Sequence, residues 1–129
     1  VISMDFYPTF LEVAGLKSGK QPIDGESLVR IFKQSGELKR KAIYFHYPNY
    51  AWHMSNRLGS VIREGDWKLI RNYDDNSLEL YNLSKDLSEK KNLAKQIPKL
   101  AARLNRKLSS WLKETGAPMP RPAKLGKVN

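Results

Sequence analysis

At 129 residues, with 40% apolar and 10% aromatic side chains, the chain suits one small folded domain with a modest core and is too apolar to stay disordered. No apolar run approaches the roughly 20 residues that cross a bilayer, and zero cysteines exclude disulfides and thiolate metal sites without fixing the compartment. The net charge of +10 is lopsided: from Ser84 onward twelve Lys and Arg stand against three acids, so the preceding part is close to balanced. No charged-then-apolar leader opens the chain. It begins with Val and reads as starting inside a longer protein, so absent targeting signals say little about location.

In chain order, Ser3-Met4-Asp5 offers capping oxygens ahead of a short helix over Phe6 to Ala14, and Gly15 can end it in left-handed geometry. Pro8 is tolerated in the first turn, where backbone N–H groups lack helical partners anyway. Phe6, Phe10, Leu11, Val13 and Ala14 make this helix apolar over more than one face, as expected at the cut edge of a larger domain. A Gly/Lys-rich loop over 16–21 and the Asp24-Gly25-Glu26-Ser27 turn lead to a second short helix over Leu28 to Phe32. After a polar connection over 35–41, the aromatic and β-branched run Ala42 to Tyr47 predicts a strand stopped by Pro48. The following loop, 48–58, carries Tyr50, Trp52, His53 and Met54, an aromatic surface suited either to binding or to packing over a sheet.

From Gly59 to Leu83 the alternation predicts three strands joined by turns at Gly65-Asp66 and Asp74-Asp75-Asn76. A meander with one apolar face must be covered, and Leu100, Ala101, Leu104, Leu108, Trp111 and Leu112 supply a helical stripe that can cover it. This helix starts near Pro98 and ends near Thr115-Gly116, before a Pro/Lys-rich extended tail over 117–129. The predicted fold class is α+β: a four-stranded antiparallel sheet on a long C-terminal helix, preceded by short helices. At 100° per residue, Lys99, Arg103, Arg106, Lys107 and Lys113 gather opposite the apolar stripe. That face is either a solvated surface or a docking surface for a polyanion such as a sulfated glycan, nucleic acid or anionic membrane.

The residues offer little chemistry of their own. His46 and His53 have no third ligand of suitable type nearby. Asp74-Asp75-Asn76 lacks the further oxygens a calcium site needs and reads as a hairpin turn. Ser3, Ser27 and Ser109 show no His–acid partnering.

Five ordered blocks nonetheless carry a resemblance. They are Asp5-x-Tyr7-Pro8-Thr9-x-x-Glu12-x-Ala14-Gly15, Asp24-Gly25-x-Ser27-Leu28, His46-Tyr47-Pro48, Arg63-x-Gly65-Asp66-Trp67-Lys68-Leu69, and Leu80-Tyr81-Asn82-Leu83-x-x-Asp86-x-x-Glu89-x-x-Asn92-Leu93-Ala94. Together they resemble the C-terminal end of a type I sulfatase of the alkaline phosphatase superfamily, above all the arylsulfatase and N-acetylgalactosamine-6-sulfatase-like enzymes. Asn82 departs from the family's usual Asp, and Leu87 from its usual Pro.

The resemblance implies that residues 1–34 are the trailing piece of the large α/β domain and 41–116 the C-terminal subdomain. It implies a formylglycine nucleophile and a calcium ion, both belonging to the missing N-terminal part, because no Cys/Ser-x-Pro-x-Arg motif occurs here. The chain alone is therefore expected to be inactive, with no catalytic or metal residue. Lys68 is expected to be an exposed sheet residue, not a sulfate ligand. The candidate substrate contacts are His46, Asn49, Tyr50 and His53, lining one wall of a pocket for a sulfated sugar or aryl sulfate. The implied partner is the N-terminal sulfatase domain of the same protein, with no membrane partner and a periplasmic or secreted location. Nucleic acid enters only in the alternative, a free-standing basic module that binds a polyanion.

Overall fold

A computed structural model describes residues 1–49 and 57–121. Tyr50, His53 and the tail from Pro122 onward lie outside the described residues. The chain divides into two compact units, 1–41 and the part from Ala42 on.

The first unit holds a one-turn 3₁₀ segment, Ser3–Asp5, followed by α1 (Phe6–Val13) and α2 (Val29–Phe32). Leu28 is its one buried apolar residue among those described, so an apolar core does not hold this unit together. A polar clamp does. Asp5 is fully buried, and its carboxylate accepts the Ile2 N–H at 2.9 Å, the Glu26 N–H at 3.1 Å and a bidentate pair from the Arg40 guanidinium. Glu26 in turn accepts the Lys39 N–H at 2.7 Å and the Arg40 N–H at 2.6 Å. Thr9 Oγ1 donates to the Asp5 carbonyl at 2.6 Å and accepts the Leu28 N–H at 2.9 Å. Gly25 passes so close that a Cβ there would lie 2.0 Å from the Met4 carbonyl oxygen, which only glycine permits. Asp5 thus joins the two blocks across the unit and does not cap α1, which has no side-chain cap. Gly15 does close α1 in the left-handed region, at φ +67°.

The second unit is a four-stranded antiparallel meander in the order β1 (Ala42–Tyr47), β2 (Gly59–Glu64), β3 (Trp67–Asn72), β4 (Leu78–Asn82). The register lines up Tyr44, Ile62, Leu69 and Leu80 as one row across all four strands. That row faces α3 (Pro98–Glu114), which buries Ala101, Leu104, Leu108 and Leu112 against it. The Tyr44 and Trp111 rings stack at 4.8 Å between centroids, sealing one side of the seam. Polar bonds fix the helix at both flanks. On one, Arg71 Nε donates to Asn105 Oδ1 at 2.8 Å and Nη2 to Ser109 Oγ at 2.5 Å. On the other, Glu64 pairs with Arg103 at 2.5 Å and with Lys107. Gly116, at φ +60°, ends the helix, with the Ala117 N–H returning to the Leu112 carbonyl at 2.9 Å.

Beyond β4 the chain covers its own sheet edge, which would otherwise expose unpaired backbone groups. The Leu93 N–H donates to the Leu80 carbonyl at 2.8 Å, while Asn92 Oδ1 accepts the Leu80 N–H at 3.0 Å. Lys68 is half-buried and donates to both oxygens of Glu89, at 2.7 and 2.8 Å, correcting the expectation of an exposed sheet residue. Asn82 Oδ1 accepts the Ser84 N–H and hydroxyl, which a carboxylate would do equally well, and Leu87 is 81% exposed. Both departures from the family pattern are accommodated without strain.

Two stability outcomes follow. Leu104→Ala, which opens a cavity under the row, should lower the unfolding free energy read by Trp fluorescence by about 3 kcal/mol, whereas Leu87→Ala should change it by less than about 0.5. The Arg40 guanidinium, and then the Ile2 and Glu26 N–H groups, hold the Asp5 carboxyl far below the usual carboxylate range against the opposing effect of burial. A depressed folded-state pKa contributes stability that is complete above the unfolded value of about 4 and is lost as pH falls below it. Hydrogen exchange at the Glu26 and Leu28 amides, corrected for intrinsic rates, should therefore lose protection only in that acid range. In Asp5→Asn, protection should already be reduced at neutral pH. Protection unaffected by the substitution would remove the clamp from this account.

Candidate functional site

α3 covers one face of the sheet and leaves the other open. Period-two alternation sends Ile43, Phe45, Tyr47, Val61, Ile70 and Asn72 to that face. Phe45 and Tyr47 are exposed there at 49% and 44%. They line a groove of ≈ 470 Å³ with His46, Arg57, Gly59, Val61, Ile70, Asn72 and Glu79.

The groove is apolar with one ordered polar end. Asn72 Nδ2 donates to Glu79 Oε1 at 2.8 Å, the Tyr81 hydroxyl donates to Glu79 Oε2 at 2.6 Å, and Arg57 lies 3.8 Å from Oε1. Tyr81, then Asn72 and Arg57, keep the Glu79 carboxyl below its usual range although burial opposes them. Burial, reinforced by the neighbouring Glu79, pushes the Tyr81 phenol up to about 12. Glu79 is thus a fixed anion and Tyr81 a proton donor that stays protonated. This constellation can hydrogen-bond and orient; its acid and base are already paired to each other.

His46 borders the groove, but its ring nitrogens engage groups on the helix side of the sheet, where the register sets it beside Ser60. Its Nδ1 lies 2.6 Å from Ser60 Oγ and its Nε2 2.7 Å from the Pro118 carbonyl oxygen. The Tyr73 hydroxyl lies 2.6 Å from the same Ser60 oxygen, and the two rings meet edge to face at 5.9 Å. A carbonyl only accepts, so Nε2 must carry hydrogen. In the neutral ring Nδ1 then accepts from Ser60, whose oxygen accepts from Tyr73. Asn49 is exposed at the start of the joining segment. Tyr50 and His53 lie outside the described residues.

Ser60, Tyr73, Arg57 and Glu79 went unnoticed in the sequence. For Ser60 the signal is strand register, since it falls opposite His46 only once β1 and β2 are paired residue by residue, while Arg57 and Tyr73 lie outside the strands and carry no such signal. Among the described residues, no group of three or more His, Cys, Asp or Glu side chains could hold a metal ion.

A four-strand antiparallel meander closed by one amphipathic helix defines an α+β module. The family model described as N-sulphoglucosamine sulphohydrolase, C-terminal, matches residues 1–115, and the chain belongs to this sulfatase family as its C-terminal region. A sulfatase of Formosa agariphila is 38% identical over 133 aligned positions, covering 92% of this chain and 24% of that protein. An N-acetylglucosamine-6-O-sulfatase of Bacteroides thetaiotaomicron is 35% identical over 96 positions, covering 71% of this chain and 17% of its own length. Among solved structures, one described as a complex with its substrate D-glucosamine-2-N,6-O-disulfate superposes with a TM-score of 0.70 at 33% identity, over 84% of this chain and 23% of that one. The chain thus spans about a quarter or less of the proteins it matches.

The hydrogen-bond chain makes a spectroscopic demand. Imidazole ¹⁵N shifts should report the Nε2–H tautomer for neutral His46. Ser60→Ala should mix the tautomers and cost about 1–2 kcal/mol by orphaning two polar groups. A dominant Nδ1–H form in the unaltered protein would contradict the assignment.

Proposed function

We propose that this chain is the C-terminal subdomain of a sulfatase that hydrolyses sulfate esters or sulfamates of an aminosugar, and that it completes the fold and one wall of the substrate pocket. The observation that carries the reading is the family match across residues 1–115, shared with relatives whose described substrates are sulfated glucosamines. The wall is the segment from Asn49 through Tyr50 to His53. Its amide, phenol and imidazole can hydrogen-bond sugar hydroxyls and stack on the ring. His46 stands at its base, where Ser60 and Pro118 engage both ring nitrogens.

The catalytic body is the intramolecular partner. Exposed large apolar side chains favour this reading, because a free-standing unit rarely leaves so many uncovered. Phe10 is 67% and Val13 71% exposed on α1, and Phe45 and Tyr47 are exposed on the open sheet face. The formylglycine nucleophile and the calcium ion would belong to that body, since this chain supplies neither the motif nor, among described residues, a ligand cluster. The calcium there would neutralise sulfate oxygens as a Lewis acid. This chain's own side chains bind and orient the sugar. By family analogy the protein works in the periplasm or outside the cell.

The test compares the intact protein with residues 1–129 alone on glucosamine 6-sulfate, N-sulfoglucosamine and an aryl sulfate. Turnover by the intact protein only is expected, and Asn49→Ala and His53→Ala in that protein should each lower kcat/KM on the sugar roughly tenfold, chiefly through KM. Unchanged kcat/KM in both variants would remove the wall, and turnover by the short chain would overturn the division of labour.

A further inference from the structure

The cations of α3 fall into two groups that the sequence presented as one. Arg103 and Lys107 lie on the flank toward β2 and are committed to Glu64. Lys99, Arg106 and Lys113 are exposed and have no ion pair among the described residues. They recur every seven residues, so they share one line along the helix, opposite the buried row, with about 10 Å between neighbours at ~1.5 Å rise per residue. The single acid of the helix, Glu114, accepts the Ser110 hydroxyl at 2.9 Å.

At its C-terminal end this line runs into a cleft of ≈ 410 Å³ lined by Arg71, Ser109, Leu112, Lys113, Ala117 and Met119. Asn105 and Ser109 hold the Arg71 guanidinium through Nε and Nη2, so its plane is fixed before any ligand arrives. Its Nη1 makes no hydrogen bond among the described residues and is the donor the cleft can offer, beside the Lys113 ammonium. A rigid guanidinium recognises an oxyanion at lower ordering cost than a free side chain. The floor of Leu112, Ala117 and Met119 suits the apolar face of a sugar ring.

We propose that the Lys99–Arg106–Lys113 ridge, with the Arg71 cleft at its end, docks a sulfated polysaccharide chain. Two sugar units of an extended glycan cover about the distance between successive cations, which places anionic groups within reach of each. Among the described residues no aromatic side chain lines the cleft, so bases of a nucleic acid find no stacking platform on them. The choice of a sulfated glycan over another polyanion rests on the sulfatase reading above; the existence of the ridge does not.

The experiment measures heparin affinity of the intact protein across a series of salt concentrations. Lys99→Gln, Arg106→Gln and Lys113→Gln combined should weaken binding about tenfold at low salt and flatten its salt dependence. The melting temperature should be unchanged, because all three side chains are exposed. Lys90→Gln with Lys91→Gln, two exposed cations off the ridge, should change affinity less than twofold. Equal losses in the two variants would reduce the effect to overall charge and overturn the ridge, as would heparin affinity untouched by the triple substitution. Duplex DNA bound as tightly as heparin through the same three residues would overturn the choice of glycan. Wild-type protein that turns over no sulfate ester would fail the functional reading while leaving the ridge measurement standing.

Discussion

A sheet whose inner row is Tyr44, Ile62, Leu69 and Leu80 cannot leave that row in water, and α3 is the only long amphipathic element in the described chain able to cover it. Much else follows from that contact. Because strand side chains alternate, turning this row toward α3 forces Phe45, Tyr47, Val61 and Ile70 to the other side. That second face is apolar along Phe45, Tyr47, Val61 and Ile70 and polar at Arg63, Lys68, Asn72 and Glu79. The same choice sends His46, Ser60, Glu64 and Arg71 to the helix side, where they are too polar for the central seam and occupy its margins. Each finds a fixed partner there, as buried or half-buried polar groups must.

Several of the residues that carry the family resemblance have structural partners. Asp5, Thr9 and Gly25 tie the first unit together. Lys68 and Glu89 link β3 to the segment beyond β4, while Asn92 mimics a strand rung on the free edge of β4. None needs a substrate to explain its identity. Buried polar pairs constrain a sequence tightly because removing one member leaves the other uncompensated, at roughly 3–5 kcal/mol for a buried ion pair. An apolar core tolerates exchange among residues of similar volume far better. A polar scaffold therefore stays readable in a distant relative when the core no longer is.

The fold was legible in the sequence because its determinants are local. Strand alternation, the turn residues Gly65 and Asn76 with their positive φ, and the helical stripe from Leu100 to Leu112 each declare themselves within a few positions. What could not be read was any role set by a partner far along the chain. Asp5 is 35 positions from Arg40, Lys68 is 21 from Glu89, and His46 is 72 from the Pro118 carbonyl. Composition could count the charges on α3, but only the register of β2 shows that Glu64 removes two of the five. The candidate site suffers most from this limit, since a wall residue is defined by what faces it.

The joining segment between β1 and β2 emerges from fixed backbone on both sides. Tyr47 pairs with Gly59 as the last rung, and Leu58 is buried, with its carbonyl accepting the Tyr73 N–H at 3.0 Å. Tyr73 also supplies the hydroxyl that starts the chain to Ser60 and His46, so one residue anchors the return of the segment by its backbone and its departure by its side chain. Anchoring at both ends allows the residues between to vary without loosening the sheet, because the cost of a few more loop residues grows only logarithmically. Segments held in this way are where sequence varies most freely while the module beneath them stays the same.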